Sequence, residues 1–208
     1  MCTLIFLRHG HSAANAKDLL TGRLPGVGLS PEGKRQAAAL VDRIGMKKID
    51  YLHVSPIERC QLTIDPWLRS KNSSTLLQYE IVDGLSEIDF GKWSGRKLAS
   101  LRREKLWRDV QERPSVVTFP EGESFKKAQK RAIAAVEQIR SIRGDKTHLI
   151  VSHSDTIKLV VAHYLDMKLD SFQKLNISPA SFTILHDHKG KLSLRTISSN
   201  QSLKEILG

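Results

Sequence analysis

Cysteine is nearly missing from this 208-residue chain, which has only Cys2 and Cys60. Two thiols cannot build a disulfide framework, so a reducing compartment is expected, with Cys60 a small buried side chain rather than a nucleophile. Long apolar runs are missing too. None approaches the roughly 20 residues of a membrane-spanning helix. The apolar stretch ahead of Arg8 is shorter than the roughly 7–15 residues of a secretory leader core. The expectation is a soluble, cytoplasmic protein. No internal repeat, low-complexity tract or linker interrupts the chain, so 1–208 reads as one domain, long enough to bury its own core.

Acidic residues are outnumbered, 22 against 33 lysines and arginines, for a net charge of +11. Such a balance suits an anionic partner: nucleic acid, anionic lipid or a phosphorylated small molecule. The cations are scattered in pairs such as Lys47-Lys48, Arg102-Arg103 and Lys126-Lys127, with no basic tail. They also lack the aromatic interleaving of single-strand-binding surfaces. Most read as solvated helix faces.

TLIFL (3–7) reads as a buried strand that stops abruptly at Arg8-His9-Gly10. Ser30-Pro31 opens a helix whose apolar face is Ala37, Leu40, Val41 and Ile44, closed by Gly45. YLHV (51–54) is a second strand. It leads into Ser55-Pro56-Ile57-Glu58, which matches a capping box for a helix running to Leu68. A turn at Asn72–Ser74 and a weaker strand, LLQY (76–79), follow. Residues 83–123 have no clear period and several glycines and prolines. One helix is expected there, over 96–111, and the segment reads as a functional lid. A helix over 124–142 carries Phe125, Ala128, Ala132, Ala135, Val136 and Ile139 on one face. HLIVS (148–152) is a strand, a helix spans 155–165, and SFTILHD (181–187) with LSLRTI (192–197) forms a β-hairpin. The fold class is therefore α/β: a doubly wound, mainly parallel sheet flanked by helices, with an inserted lid and a terminal hairpin.

Ligands of such sheets bind beyond the carboxyl ends of the strands. Those ends supply Arg8 and His9 from the first strand, Ser55 and then Arg59 from the second, and His153 after HLIVS. Two guanidinium forks suit phosphate oxygens, and helix starts at the same edge add N–H donors. In so cationic a place an imidazole fits the role of nucleophile toward phosphorus. His9 is the better candidate, since Gly10 leaves room for a substrate to approach, and His153 would stabilise charge on the phosphoryl oxygens. The leaving oxygen needs a proton. Asp83, Glu87 and Asp89 are the candidate donors, and an acid beside phosphate has its pKa raised by like charge. Spacing does not choose among the three.

The ordered stretches LRHGHSAAN (7–15), GVGLSPEGKRQA (26–37), VSPIERCQLT (54–63), LSEIDFGKWSG (85–95), FPEGES (119–124) and VSHSDT (151–156) resemble the histidine phosphatase superfamily, branch 1, also called phosphoglycerate mutase-like. The resemblance covers about the first three quarters of the chain. It implies that His9 becomes phosphohistidine and that Arg8, Arg59, His153 and Asn15 hold the phosphoryl group. Ser154, beside His153, joins the substrate-binding set. Glu87 takes the acid/base position of the family's L-x-E-x-x-F-G stretch, and no metal or organic cofactor is implied. In the implied mechanism His9 attacks phosphorus in line while Glu87 protonates the leaving oxygen, and water activated by Glu87 then releases phosphate.

The sequence departs from many relatives at His11, Ser94, Ser154 and Asp155. His11 either adds charge near the phosphate or points outward. Asp155 either orients His153 or, more blandly, caps the next helix. Glu123 and Ser124 either cap a helix or touch substrate. His53, His148, His163, Trp67 and Trp107 read as structural, with Trp93 a candidate for the lid pocket. Only about two dozen residues separate Gly95 from Phe119, which favours an open, hydrolytic site over the enclosed site of a phosphoglycerate mutase. Arg96, Lys97, Arg102 and Arg103 are candidates for a second acidic group on the substrate. The expected partner is a small phosphomonoester, not a membrane. Mutase-type transfer is the runner-up reading, and nucleic-acid binding on an inactive scaffold is the alternative of another class.

Overall fold

A computed structural model describes residues 2–71, 77–142 and 144–208. Its frame is a six-stranded sheet built from β1 (Cys2–Arg8), β3 (Tyr51–Val54), β4 (Gln78–Ile81), β6 (Lys146–Ser152), β7 (Phe182–His188) and β8 (Lys191–Ser199). The order across it is β4-β3-β6-β1-β7-β8. The first four are mutually parallel, and β7 and β8 add an antiparallel hairpin beside β1. A two-residue ribbon pairs β2 (Leu19–Leu20) with β5 (Arg96–Lys97).

Alternation along β1 sorts the core into two layers, because successive side chains leave a strand on opposite faces. Ile5 and Leu7 pack with α1 (Pro31–Ile44), α2 (Glu58–Leu68) and α7 (Leu203–Leu207). Leu4 and Phe6 pack with α5 (Phe125–Arg140) and α6 (Ser154–Tyr164). Helices thus cover both faces, as expected for a doubly wound sheet. A third apolar cluster, rich in aromatics, lies under α3 (Leu98–Leu101) and α4 (Lys105–Glu112). Within the sheet, buried His53 and His148 meet at 3.1 Å and stack with Tyr51. Trp67 is core, and His163 is exposed near the end of α6. Among the described residues no helix is long and apolar enough to cross a membrane.

Most expected elements are present, and the departures have local causes. Ser30 caps α1 through the Gly33 N–H at 3.1 Å, and Ser124 caps α5 through Lys127. The capping box expected at Ser55–Glu58 does not form. Ile57 is the N-cap, α2 begins at Glu58, and no side chain caps it. Ser55 Oγ is instead turned to His153 at 2.8 Å. A Ser-x-x-Glu box does form at Ser202–Glu205, opening the unexpected α7.

The single helix expected over 96–111 is two helices, because Arg102-Arg103-Glu104 offers no apolar residue to continue the stripe. Arg96 folds back on Glu104 at 2.5 Å across the break. Strand β4 runs to Ile81, its register set by pairing Val54 with Ile81. The turn expected at Asn72–Ser74 and the start of the LLQY strand lie outside the described residues.

Candidate active site

The carboxyl ends of β1, β3 and β6 lie side by side, since β6 pairs with both neighbours. They bring Arg8, His9, Arg59 and His153 together. The His9 and His153 rings stand 5.1 Å apart, tilted by 60°. His9 Nδ1 is 2.7 Å from the Gly10 carbonyl. A carbonyl only accepts, so Nδ1 carries the hydrogen and Nε2 keeps its lone pair. The Arg59 Nε–H donates to that Nε2 at 3.2 Å. Burial, then the charges of Arg59 and Arg8, hold the His9 pKa well below its usual value. The ring is therefore a neutral base at physiological pH.

Arg59 is the hub of the floor. One terminal nitrogen donates to the Gly22 carbonyl at 2.8 Å and meets His153 Nδ1 at 3.0 Å. Gly22 has φ +52°, and a Cβ there would stand 2.8 Å from the Ile88 carbonyl. Its other terminal nitrogen is buried without a protein partner, as is Nε of Arg8. Arg8 is anchored through the Ile177 carbonyl at 2.5 Å. Two arginines that line one cavity with His9 thus each keep a buried N–H donor without a partner.

His153 is fully buried behind Arg59. Because the arginine donates to Nδ1, Nε2 carries the hydrogen and gives it to Ser55 Oγ. Burial and then Arg59 lower its pKa well below the usual value. Cys60 Sγ lies 3.4 Å from the same ring. Burial pushes the Cys60 thiol up to about 12, which leaves it an inert filler.

The three acidic candidates now separate. Glu87 is buried beside the cluster and lines the same cavity of about 130 Å³ as Arg8, His9, Arg59, Asn15, Ser154 and Asp155. Asp83 and Asp89 do not line it, and Asp89 is spent on the Gly91 N–H. Glu87 Oε1 accepts from the Ile88 N–H at 3.0 Å and from Thr156 at 3.2 Å. Burial, then the neighbouring Asp155 charge, raises its pKa, against the pull of Arg59. A carboxyl with a raised pKa on the wall of this cavity holds its proton more tightly than a free one, which suits a donor.

Several expectations need correcting. Gly10 does not clear a path for substrate. A Cβ there would touch the Gly33 carbonyl at 3.0 Å, and one on Gly33 would lie 2.0 Å from the His11 carbonyl. Both glycines serve the close approach of the post-β1 loop to α1. His11 turns to that helix, with Nδ1 2.9 Å from Ser30 Oγ. Asp155 neither caps α6 nor touches His153; it pairs with Lys158 at 3.0 Å. Glu123 is held by Arg131 and Arg23 at 2.7 and 2.9 Å, so it supports the site and makes no substrate contact. Arg96, Lys97, Arg102 and Arg103 do not line the cavity.

Sequence reasoning also missed supporting groups. Thr63 Oγ1 accepts from the Gly10 N–H at 2.9 Å and donates to the Arg59 carbonyl at 2.6 Å, tying nucleophile loop to α2. Arg131 donates to the carbonyls of Gly84, Ser86 and Glu87, fixing the loop that carries the acid. Ser55 and Thr63 sit inside the quoted VSPIERCQLT stretch, whereas nothing local marks Arg131.

Against this geometry, the family model of the histidine phosphatase superfamily (branch 1) matches residues 4–200. The chain belongs to that superfamily. Phosphoserine phosphatase 1 of Hydrogenobacter thermophilus is 29% identical to this branch 1 member over 192 residues, 89% of this chain and 87% of the relative. A 2,3-bisphosphoglycerate-dependent phosphoglycerate mutase of Thermoplasma acidophilum is 26% identical, covering 98% and 96%. The crystal structure of Bacillus stearothermophilus YhfR superposes with a TM-score of 0.87 at 23% identity, over 96% of this chain and 98% of that one. The superfamily assignment makes this an enzyme of the phosphatase class.

Proposed function

We propose that this protein hydrolyses small phosphomonoesters through a phosphohistidine on His9, in a reducing cytoplasm. One observation carries the reading: His9, with its Nε2 lone pair against Arg59, lines one cavity with Arg8 and Arg59, each of which keeps a buried N–H without a protein partner. Nε2 attacks phosphorus and the ester bond breaks. The proton of Glu87 goes to the leaving oxygen, giving the alcohol. Arg8, Arg59 and His153 hold the charge spread over the three phosphoryl oxygens, with Asn15 and Ser154 at the rim. Glu87, now a carboxylate, takes a proton from water as that water attacks the phosphohistidine. Phosphate leaves, and His9 and Glu87 return to their starting states.

Transfer back to a second substrate position is the mutase alternative. The short 83–123 segment, serving as a lid, and the phosphatase among the relatives support hydrolysis. The test is phosphate release from a panel of phosphomonoesters, with 3-phosphoglycerate supplied with and without 2,3-bisphosphoglycerate. Steady phosphate release lost in His9→Ala upholds the reading. Isomerised phosphoglycerate without net phosphate release overturns it.

A further inference from the structure

A second cavity of about 160 Å³ adjoins the catalytic one, and Leu20 and Asp155 line both. Its walls are aromatic. Phe90 and Phe119 meet edge to face at 4.9 Å, Trp93 stacks on Trp107 at 6.1 Å, and Phe125 closes the floor against Phe119 at 5.3 Å. Among the described residues no lysine or arginine lines it; its polar lining groups are Gln111, Gln173 and the Asp155 carboxylate, which is paired with Lys158. An apolar-walled space of about 150 Å³ is large enough for a benzene ring. An aromatic wall adds edge and face contacts to such a ring.

We propose that this cavity receives an aromatic or similarly compact apolar ring on the leaving alcohol, and that the preferred substrates are ring-bearing phosphomonoesters without a second negative charge. The inference rests on the phosphatase reading and extends it to the substrate class. The phosphoryl group sits at His9, and the alcohol extends past Leu20 and Asp155 into the aromatic space. A second anionic group there would meet the Asp155 carboxylate and would have to compete with it for Lys158, which Asp155 and Gln173 already hold at 3.0 and 2.9 Å. This replaces the sequence-based expectation of a basic specificity patch, since Arg96 is paired with Glu104 and Lys97, Arg102 and Arg103 point to solvent.

The test compares ethyl phosphate with esters carrying a phenyl ring on one, two or three methylenes. The two- and three-carbon spacers match the ethanol leaving group in basicity, so a difference there reports binding rather than bond strength. The best phenyl ester should exceed ethyl phosphate in kcat/KM by at least about tenfold, the scale on which apolar pockets discriminate. 3-Phosphoglycerate should fall below the phenyl esters. Leu98→Phe, and separately Val110→Phe, fill the cavity and should pull the ratio toward one through a higher KM for the phenyl ester. Both esters turned over at equal rates, or 3-phosphoglycerate preferred, overturns the inference and leaves the phosphatase reading intact. If no ester is hydrolysed, the phosphatase reading fails. The cavity is then judged by titrating 2-phenylethanol against tryptophan emission: a saturable change upholds it as an aromatic site, and no change overturns it.

Discussion

The floor of the site and the 83–123 segment above it are built on opposite plans. On the floor, Arg8, His9, Arg59 and His153 leave the ends of buried parallel strands, or the helix turn that follows one, so adjacent backbone ladders set their separation. In the upper segment, Glu87 sits on irregular backbone, and its place depends on long-range donors from Arg131 and Arg23. The floor is polar, cationic and neutral in its imidazoles. The segment packs through aromatic contacts and carries a carboxyl whose pKa is raised. Burial acts on both, with opposite consequences: it lowers the pKa of the bases and raises that of the acid. The two shifts widen the range of pH over which a neutral imidazole and a protonated carboxyl coexist.

Removing the nucleophile tests the floor most severely. His9→Ala should lower phosphate release to background and abolish acid-quenched labelling of the protein, while the thermal transition persists. Glu87→Gln should cost roughly 10²–10⁴-fold in kcat if its proton is what the segment contributes. In the wild type, kcat/KM should fall as pH rises through the raised Glu87 pKa, and that limb should vanish in the glutamine variant. A wild-type limb that survives the substitution would place the acid elsewhere.

Arg131→Ala asks whether the upper segment depends on its remote anchor. It leaves buried Glu123 without its closest partner and the Gly84 carbonyl without a donor, while Arg23 still holds Glu123 and the Glu87 carbonyl and Thr156 the Ser86 carbonyl. Stability should drop by about 1–3 kcal/mol, the scale for lost charge-assisted hydrogen bonds where a second partner remains, measured by urea unfolding. kcat should fall further than KM rises, with partial recovery in Arg131→Lys.

Acid tests the buried imidazoles. Burial lowers His53 and His148 to about 4, and His9 and His153 shift the same way. The unfolded chain therefore takes up protons first as pH falls below about 6.5, and native stability declines from there toward pH 4. The expected loss between pH 6.5 and 5 is at least about 2 kcal/mol, with Glu87 opposing it by binding its proton more tightly when folded. A flat urea midpoint over that range would contradict the burial of these rings. The mildest change is Ser55→Ala. It removes the acceptor of the His153 Nε2–H, whose tautomer Arg59 sets, and should lower kcat about tenfold, the scale of one lost hydrogen bond, with KM little altered.

Much of the floor was legible because its chemistry lies in contiguous strand-to-helix stretches. Arg8 and His9 end an apolar run, and the strand before His153 is seven residues long in a sheet with short loops. Local rules failed where a side chain had a better use in three dimensions. Ser55 carried the signature of a helix cap and serves His153 instead. Gly10 looked like space for substrate and is a packing contact. In the 83–123 segment neither the helix break nor the choice of Glu87 over Asp83 and Asp89 could be read from spacing alone.

Periodicity, caps and strand-end residues were enough to specify most strands and helices, the fold class and the placing of Arg8, His9, Arg59 and His153 at strand ends, because each depends on neighbours within a few positions. The pairing of β6 between β1 and β3, the hydrogen bonds that assign each imidazole its tautomer, the anchoring of Glu87 by Arg131 and the aromatic cavity beyond Asp155 depend on residues tens to more than a hundred positions apart. Only packing the whole chain brings such groups within hydrogen-bonding or van der Waals range, so those features appear with the folded molecule and not before.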